Sequence, residues 1–372
     1  MFATRLRLRD FRSYERADVV LGPGLTVVHG RNGAGKTNLL EALYFGCTGR
    51  SCRTFNEREV VRFGAATARV EVDLRDREGR AHVLAVGFSP GDAKRLQADG
   101  VVVERLVDVD MRPLVCVFMP DRLELVKGPP ALRRSHIDQV IAASWPARSA
   151  TRRAYGRALA QRNALLAAIR SGRIGRASHD SLRAWDAELA RHGIALRDDR
   201  RAVVDLLAPR FAALAAALGL GAGAELRYRP RSQAAGAAEL AAELAERVDS
   251  DLERGFTGHG PHRDDIAFLR AGGELRAYGS QGEQRLALLA LLLAERETLA
   301  QERDTLPLML LDDVMSELDP DRRAMLADQL RGAGQSVITT TDLAHVPGAD
   351  GVNVTRLAVR DGAVLCDAAE AA

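Results

Sequence analysis

Lysine is nearly absent from this chain of 372 residues: of 53 basic residues only Lys36, Lys94 and Lys127 are lysines. Cysteine is also scarce. Cys47, Cys52, Cys116 and Cys366 show no C-x-x-C spacing, and nothing suggests a disulfide framework. No long apolar run exists. The longest, Leu286 to Ala294, is nine residues and too short to cross a bilayer. The first residues, Met1 to Arg7, lack the apolar block of a secretion signal. A soluble, reducing, cytoplasmic setting without a membrane partner is therefore expected. No heptad persists over several repeats, so a long coiled-coil arm is not indicated, and no internal repeat is evident. Net charge is only +3, which excludes a polybasic tail protein. The charge is uneven, however: between Trp145 and Arg201 there are 13 arginines against 5 acidic residues. That excess marks either a nucleic-acid face or a solvated helical surface.

Against this background one lysine stands out. Gly30-Arg31-Asn32-Gly33-Ala34-Gly35-Lys36-Thr37 is a complete phosphate-binding loop, and Asn38 opens the residues that follow. It comes after Leu25-Thr26-Val27-Val28, fit for a buried strand, and runs into Leu39-Leu40-Glu41-Ala42-Leu43 with helical spacing. Strand, glycine turn and helix start form the context the motif needs. Glycines let consecutive N–H groups point at phosphate oxygens, and the helix N-terminus adds partial positive charge. Lys36 is placed to reach the β- and γ-phosphates and Thr37 to put its hydroxyl on Mg²⁺. A guanidinium cannot replace a compact ammonium there, which accounts for a lysine in an arginine-dominated chain.

With 47% hydrophobic residues the chain can bury a large core, and its texture divides it in two. Residues 1–118 read mainly as strands around the loop, with strict alternation in Thr4 to Arg9 and Arg69 to Leu74, and a buried strand at Val115 to Phe118. Residues 119–254 are rich in alanine, leucine and arginine. Leu159, Leu165, Leu166 and Ile169 form one helical stripe, and Leu182, Trp185, Leu189 and Leu196 another. Breaks are expected at Gly172 to Gly175 and Gly221 to Gly223. Strands return in 255–372, at Ile266 to Leu269, Glu274 to Tyr278, Leu308 to Leu311 and Val337 to Thr340. The fold class expected is α/β: a discontinuous phosphate-loop lobe of mixed sheets and helices, 1–118 with 255–372, interrupted by an all-helical lobe over 119–254.

Two further elements carry chemistry. Leu308 to Leu311 is an apolar strand ending in Asp312-Asp313, where one carboxylate can hold the Mg²⁺ shell and its neighbour can orient an attacking water. Pro320 suits the first turn of the next helix. Tyr278-Gly279-Ser280-Gln281-Gly282-Glu283-Gln284 contains an S-x-x-E capping box, so a helix should start there with Ser280 and Gly282 at an end suited to a phosphate.

Taken together, Gly-x-Asn-Gly-x-Gly-Lys-Thr-Asn, Ser280 to Gln284 and Leu-Leu-Asp-Asp-Val-x-Ser-Glu-Leu-Asp resemble an ABC-type ATPase head, and specifically the RecF family. Thr48 to Ser51, Leu125 to Pro129, Arg133-Arg134, Gly260 to Asp265 and Thr339 to Asp342 share in the resemblance, which covers essentially the whole chain. It implies a bacterial DNA-repair ATPase whose two heads close around two ATP molecules. Lys36, Asp312 and Asp313 are then catalytic, Thr37 and Asp312 hold Mg²⁺, and ATP lies between Gly30 to Asn38 of one copy and Ser280, Gln281, Gly282, Glu283 and Gln284 of another. The resemblance further implies a homodimer on double-stranded DNA near a single-strand gap, with RecR and RecO as partners in loading RecA. Asp313 stands where ABC ATPases usually carry glutamate, and Thr340 or Thr341 where a switch histidine is usual. Both imply slow turnover. Arg148, Arg152, Arg153 and Arg157, at helical spacing, are the candidate DNA contacts, and the helical lobe is a candidate clamp. Arg50 and Arg53 face either phosphate or solvent; Arg133 and Arg134 face either DNA or acidic residues; His259, His262 and Arg263 stay open. A transport ATPase subunit is the alternative of a different class, and a small-molecule kinase a third.

Overall fold

Alternating arginine and leucine make a strand with one wet face and one dry face. In the computed structural model, which describes residues 1–54, 56–173, 179–331 and 334–366, Leu6 and Leu8 are buried while Arg5 and Arg9 are exposed. The chain forms two compact units, Met1–Arg122 with Leu299–Ala372, and Leu123–Thr298.

The first unit holds β1 (Phe2–Phe11), β2 (Tyr14–Val20), β3 (Leu25–His29), β4 (Ala68–Arg75), β5 (Ala81–Phe88), β6 (Arg95–Ala98), β7 (Val101–Val103) and β8 (Val115–Phe118). The second contributes β9 (Ala224–Arg229), β10 (Asp265–Arg270) and β11 (Gly273–Glu274); β12 (Leu308–Leu311), β13 (Ser336–Thr340), β14 (Thr355–Arg360) and β15 (Ala363–Cys366) return to the first. One antiparallel sheet runs β2-β1-β4-β5-β6-β7. The other runs β15-β14-β3-β13-β12-β8 and is parallel except at β15. Its strands are continuous apolar runs because both faces are covered. The helix Lys36–Thr48 shares one core with both sheets through Leu39, Leu40, Leu43 and Phe45. A Cβ on Gly46 would lie 2.4 Å from the Val72 side chain, so the helix sits directly on β4. That contact fixes where the helix begins, and with it the loop.

The second unit is mainly helical: Pro130–Ser144, Ser149–Arg170, His179–Ala217, Ala237–Glu246 and Val248–Arg254. The helical insertion departs from expectation at Ala224–Arg229, which is a strand. Gly221 and Gly223, both at positive φ, end the helical path, and Ala224 and Leu226 then bury on alternate positions. β9 pairs antiparallel with β10, so 255–298 belongs with the helices and the junction falls inside the helix Gln281–Arg303, not at 254. A second correction concerns Glu274 to Tyr278. Only Gly273–Glu274 pairs, and Leu275–Tyr278 turns helical around the buried Leu275, because the Gln284 amide ties to Leu275 O and Gly279 O. Of the expected glycine breaks, Gly172 follows the helix ending at Arg170, whereas Gly175 lies outside the described residues. Among the described residues no helix is long and apolar enough to cross a membrane.

Candidate functional site

The loop leaves β3 at the centre of the parallel sheet. Gly30 has φ 153°, and a Cβ there would lie 2.3 Å from Val359 O, so backbone contact alone demands glycine. Gly33, at φ 79°, needs glycine for its conformation, since nothing crowds it. Arg31, Asn32 and Gly33 form the exposed tip, and Ala34 and Gly35 lead into the helix. Tyr14, buried, donates its hydroxyl to Gly35 O at 2.9 Å and braces the turn from below. Lys36 is buried and its Nζ donates to Gly30 O at 2.8 Å and Arg31 O at 3.0 Å, spanning the loop's mouth. Burial lowers its pKa, while Asp313 and Asp312 pull it back.

Across the loop, three elements meet on one carboxylate. Thr37 Oγ1 donates to both Asp312 oxygens at 2.9 Å, and Thr339 Oγ1 donates to Asp312 Oδ1 at 2.7 Å. Burial raises the Asp312 pKa; the Thr339 and Thr37 hydroxyls oppose that shift and Asp313 adds to it. The same Thr339 hydroxyl accepts the Asp313 N–H at 2.9 Å, so one side chain links both aspartates. Asp313 sits in the left-handed region at φ 47°, which aspartate tolerates better than most residues. Its Oδ1 is buried without a hydrogen-bond partner among the described residues. A buried lone carboxylate oxygen beside an ammonium and an oxygen-lined pair can accept a proton.

Thr339 shares in the resemblance, but its link between the two aspartates is not visible in the sequence. Parallel pairing of β12 and β13 puts Leu311 beside Ile338, hence Asp312 beside Thr339. The available signal was a threonine at the end of an apolar strand, but which strands are neighbours is not written in either segment. Thr340, where a switch histidine is usual, is buried and donates to Asp342 O, and Thr341 is exposed. Glu41 is a second unforeseen organiser. Fully buried, it accepts two bonds from Arg12, one from Ser51 and one from Arg53, whose guanidinium also reaches Asn38 Oδ1 at 3.0 Å. Asn38 in turn donates to Ser13. Arg53 is thus anchored on the loop helix, whereas Arg50 is exposed.

In the second unit, the capping box forms as the spacing predicts. Ser280 N–H donates to Glu283 Oε2 at 2.8 Å and Glu283 N–H to Ser280 Oγ at 3.3 Å. Ser280, Gln281 and Gly282 are exposed, Gln284 is buried, and Glu283 pairs with Arg270. The helix Gln281–Arg303 starts there, with its first turn open.

The four candidate DNA arginines do not form a common free row. Arg148 pairs with Asp199 at 3.1 Å and stacks on Trp145, and Arg152 lies 3.3 Å from Asp138. Arg153 and Arg157 are exposed without an ion pair among the described residues. Arg133 is buried in a two-pronged contact with Asp265, and Arg134 donates to Asp264 O: these two face acidic residues and the loop around them. His262 accepts from Tyr155 and donates to Thr257 O; burial pushes its pKa down to about 4, so it is a neutral structural group. His259 pairs with Glu243, and Arg263 is exposed over Phe256.

The fold is found again among known proteins. A family model described as an AAA domain matches residues 5–112. An SMC head bound to the C-terminal winged-helix domain of ScpA has a TM-score of 0.59 at 18% identity, covering 98% of this chain and 97% of that one. Fold and site together define an ABC-type ATPase head. A DNA replication and repair protein RecF of Myxococcus xanthus (strain DK1622) is 39% identical over 370 residues, 96% of each chain. The chain belongs to the RecF family. The solved recombination mediator protein RecF with ATP, of the RecFOR pathway, has a TM-score of 0.86 at 27% identity, covering 98% of this chain and 97% of that one.

Proposed function

We infer that the chain is an ATP-driven DNA-binding protein of recombinational repair and replication-fork maintenance. ATP binds with its phosphates on Gly30 to Asn38, and two copies close head to head. Lys36, Thr37 and Asp312 of one copy then face Ser280, Gln281 and Gly282 of the other, so the nucleotide is the dimer's glue. The observation that carries this reading is the bond between the loop threonine and the strand-end aspartate, 275 residues apart and 2.9 Å from atom to atom. Family membership supports it.

The residues also fit a divalent cation. Thr37 Oγ1 and the Asp312 carboxylate are hard oxygen donors, the kind Mg²⁺ prefers, and would hold it. When bound, Mg²⁺ supplies neutralisation of charge on the β- and γ-phosphate oxygens. Lys36 leaves its loop carbonyls for the γ-phosphate. Asp313 orients a water in line with the γ-phosphorus through its unpartnered Oδ1 and takes its proton as ADP departs. Being one methylene shorter than glutamate, it does so slowly, and hydrolysis resets the dimer instead of driving a motor. DNA stimulates that turnover. The closed dimer binds double-stranded DNA near single-strand gaps in the cytoplasm and assists loading of RecA with RecO and RecR.

Sedimentation with and without ATP tests the shared site. Native protein should dimerise only with ATP, and Lys36→Met and Ser280→Arg should both stay monomeric, the latter still binding nucleotide. Monomers throughout, despite measurable ATP binding, would overturn it.

A further inference from the structure

One rung on the outward face of the antiparallel sheet differs from its neighbours. Register places Arg16 of β2 opposite Arg9 of β1, Arg9 opposite Arg69 of β4, Arg69 opposite Gly87 of β5, and Gly87 opposite Arg95 of β6. Residues directly opposite one another project from the same face. Four arginines therefore stand in a single row, broken only by a glycine. On the adjoining rungs every arginine is neutralised within the sheet: Arg5 by Asp18 at 2.5 Å, and Arg7 by Glu71 at 3.0 Å and Asp73 at 2.7 Å. In the row itself Arg69 shares the Glu71 carboxylate, but Arg9, Arg16 and Arg95 are exposed with no ion pair or side-chain hydrogen bond among the described residues.

Like charges set opposite each other weaken a sheet, so this row is unfavourable by itself and favourable beneath a polyanion. Strands stand ~4.8 Å apart, which makes the row roughly 19 Å long, about the axial length of five or six base pairs. Gly87 is not demanded by its surroundings. Its φ is not positive, and a Cβ there would meet nothing nearer than Arg95 Cβ at 3.8 Å. A bare backbone within the row admits a close approach. Next to Arg9 in sequence, Asp10 is held by both the N–H and the guanidinium of Arg62, and Arg62 is followed by Phe63, which is 100% exposed. An exposed aromatic ring offers a stacking surface for sugar or base.

We propose that this face docks the phosphate backbone of double-stranded DNA, with Arg9, Arg16 and Arg95 as contacts and Phe63 at its edge. The proposal rests on the DNA-binding reading above and places the contact on the first unit instead of on Arg148 to Arg157.

The test uses the full chain with ATP and a labelled duplex several helical turns long, titrated over a range of salt. The triple variant Arg9→Gln, Arg16→Gln, Arg95→Gln should bind at least roughly tenfold more weakly, with a salt slope smaller by about two to three. Its melting temperature should equal or exceed that of the native chain, because like-charge repulsion is removed, and its ATP-dependent sedimentation should be unchanged. Phe63→Ala should weaken binding about severalfold without altering the slope. A triple variant that melts normally and binds DNA with native affinity and slope would overturn the surface and leave the DNA reading intact. Native protein that binds no duplex at low salt in any nucleotide state would overturn both.

Discussion

The two halves of the candidate nucleotide site are built in different ways. The loop half is assembled from distant segments: β3 supplies the loop, β12 the aspartates, β13 the threonine that joins them, and β1–β2 the tyrosine beneath. Lys36, Asp312 and Thr339 are all buried. The half at Ser280 is local. Ser280 and Glu283 satisfy each other within one helical turn, and the first residues of that turn are exposed. A half locked by tertiary contacts is complete before ligand arrives, whereas an exposed helix start with only local bonds can receive an anion from another molecule with little reorganisation. This asymmetry suits the shared site proposed above.

The comparison can be broken most forcefully at Asp312. Asp312→Asn keeps the shape but removes the charge, and turnover of ATP should fall by roughly a hundredfold or more, the several kcal/mol that a held cation contributes. Without nucleotide or metal the same variant should melt a few degrees higher, since it relieves a buried charge facing Asp313. Native turnover, or a large drop in melting temperature, would refute the description of this half. A smaller effect is expected at Thr339. Thr339→Val deletes the hydroxyl linking both aspartates and leaves the Asp313 N–H unpaired, so turnover should drop about ten- to a hundredfold and stability by about 1–3 kcal/mol. Thr339→Ser should restore both; if Val performs as well as Ser, the link has no role. The smallest change belongs to the other half. Ser280→Ala loses only an exposed cap and should cost about 1 kcal/mol in stability. Calorimetry showing a cost several times larger would mean that this end is locked as tightly as the first.

Arginine teaches a related lesson inside the second unit. The excess between Trp145 and Arg201 pointed to a nucleic-acid face or a solvated surface, and much of it is neither. Arg162 is wholly buried, held by Asp186 and Asp251 at 2.6 Å, and Arg200 is clamped on Asp138. Arg162 even occupies the inward stripe of its helix with Tyr155, Ala158 and Leu166, a position that hydrophobic periodicity would assign to a leucine. A count of charges along a chain records neither depth nor partners. By contrast, the arginine row on the sheet lies in a segment with no conspicuous excess, because it is made by register across five strands.

Elements whose signal is local were legible without coordinates. The phosphate loop, the capping box at Ser280, the buried runs at Val115, Leu308 and Val337, and Pro320 opening a helix each depend on residues within a few positions of one another, and backbone sterics act at that range. The strand at Ala224–Arg229 and the helical turn at Leu275–Tyr278 were not, because pairing with β10 and the reach of Gln284 overrode weak local preference. By itself, then, the order of residues determined that a phosphate-binding loop motif exists, which strand ends in paired carboxylates and where the helix at Ser280 begins. Only the tertiary structure decided that Thr339 joins the aspartates, that Glu41 gathers Arg12 and Arg53, and which arginines are spent on carboxylates and which stay free. Those outcomes depend on which strands lie side by side, and that is settled by burial of the whole core around the helix Lys36–Thr48 and not by any segment alone.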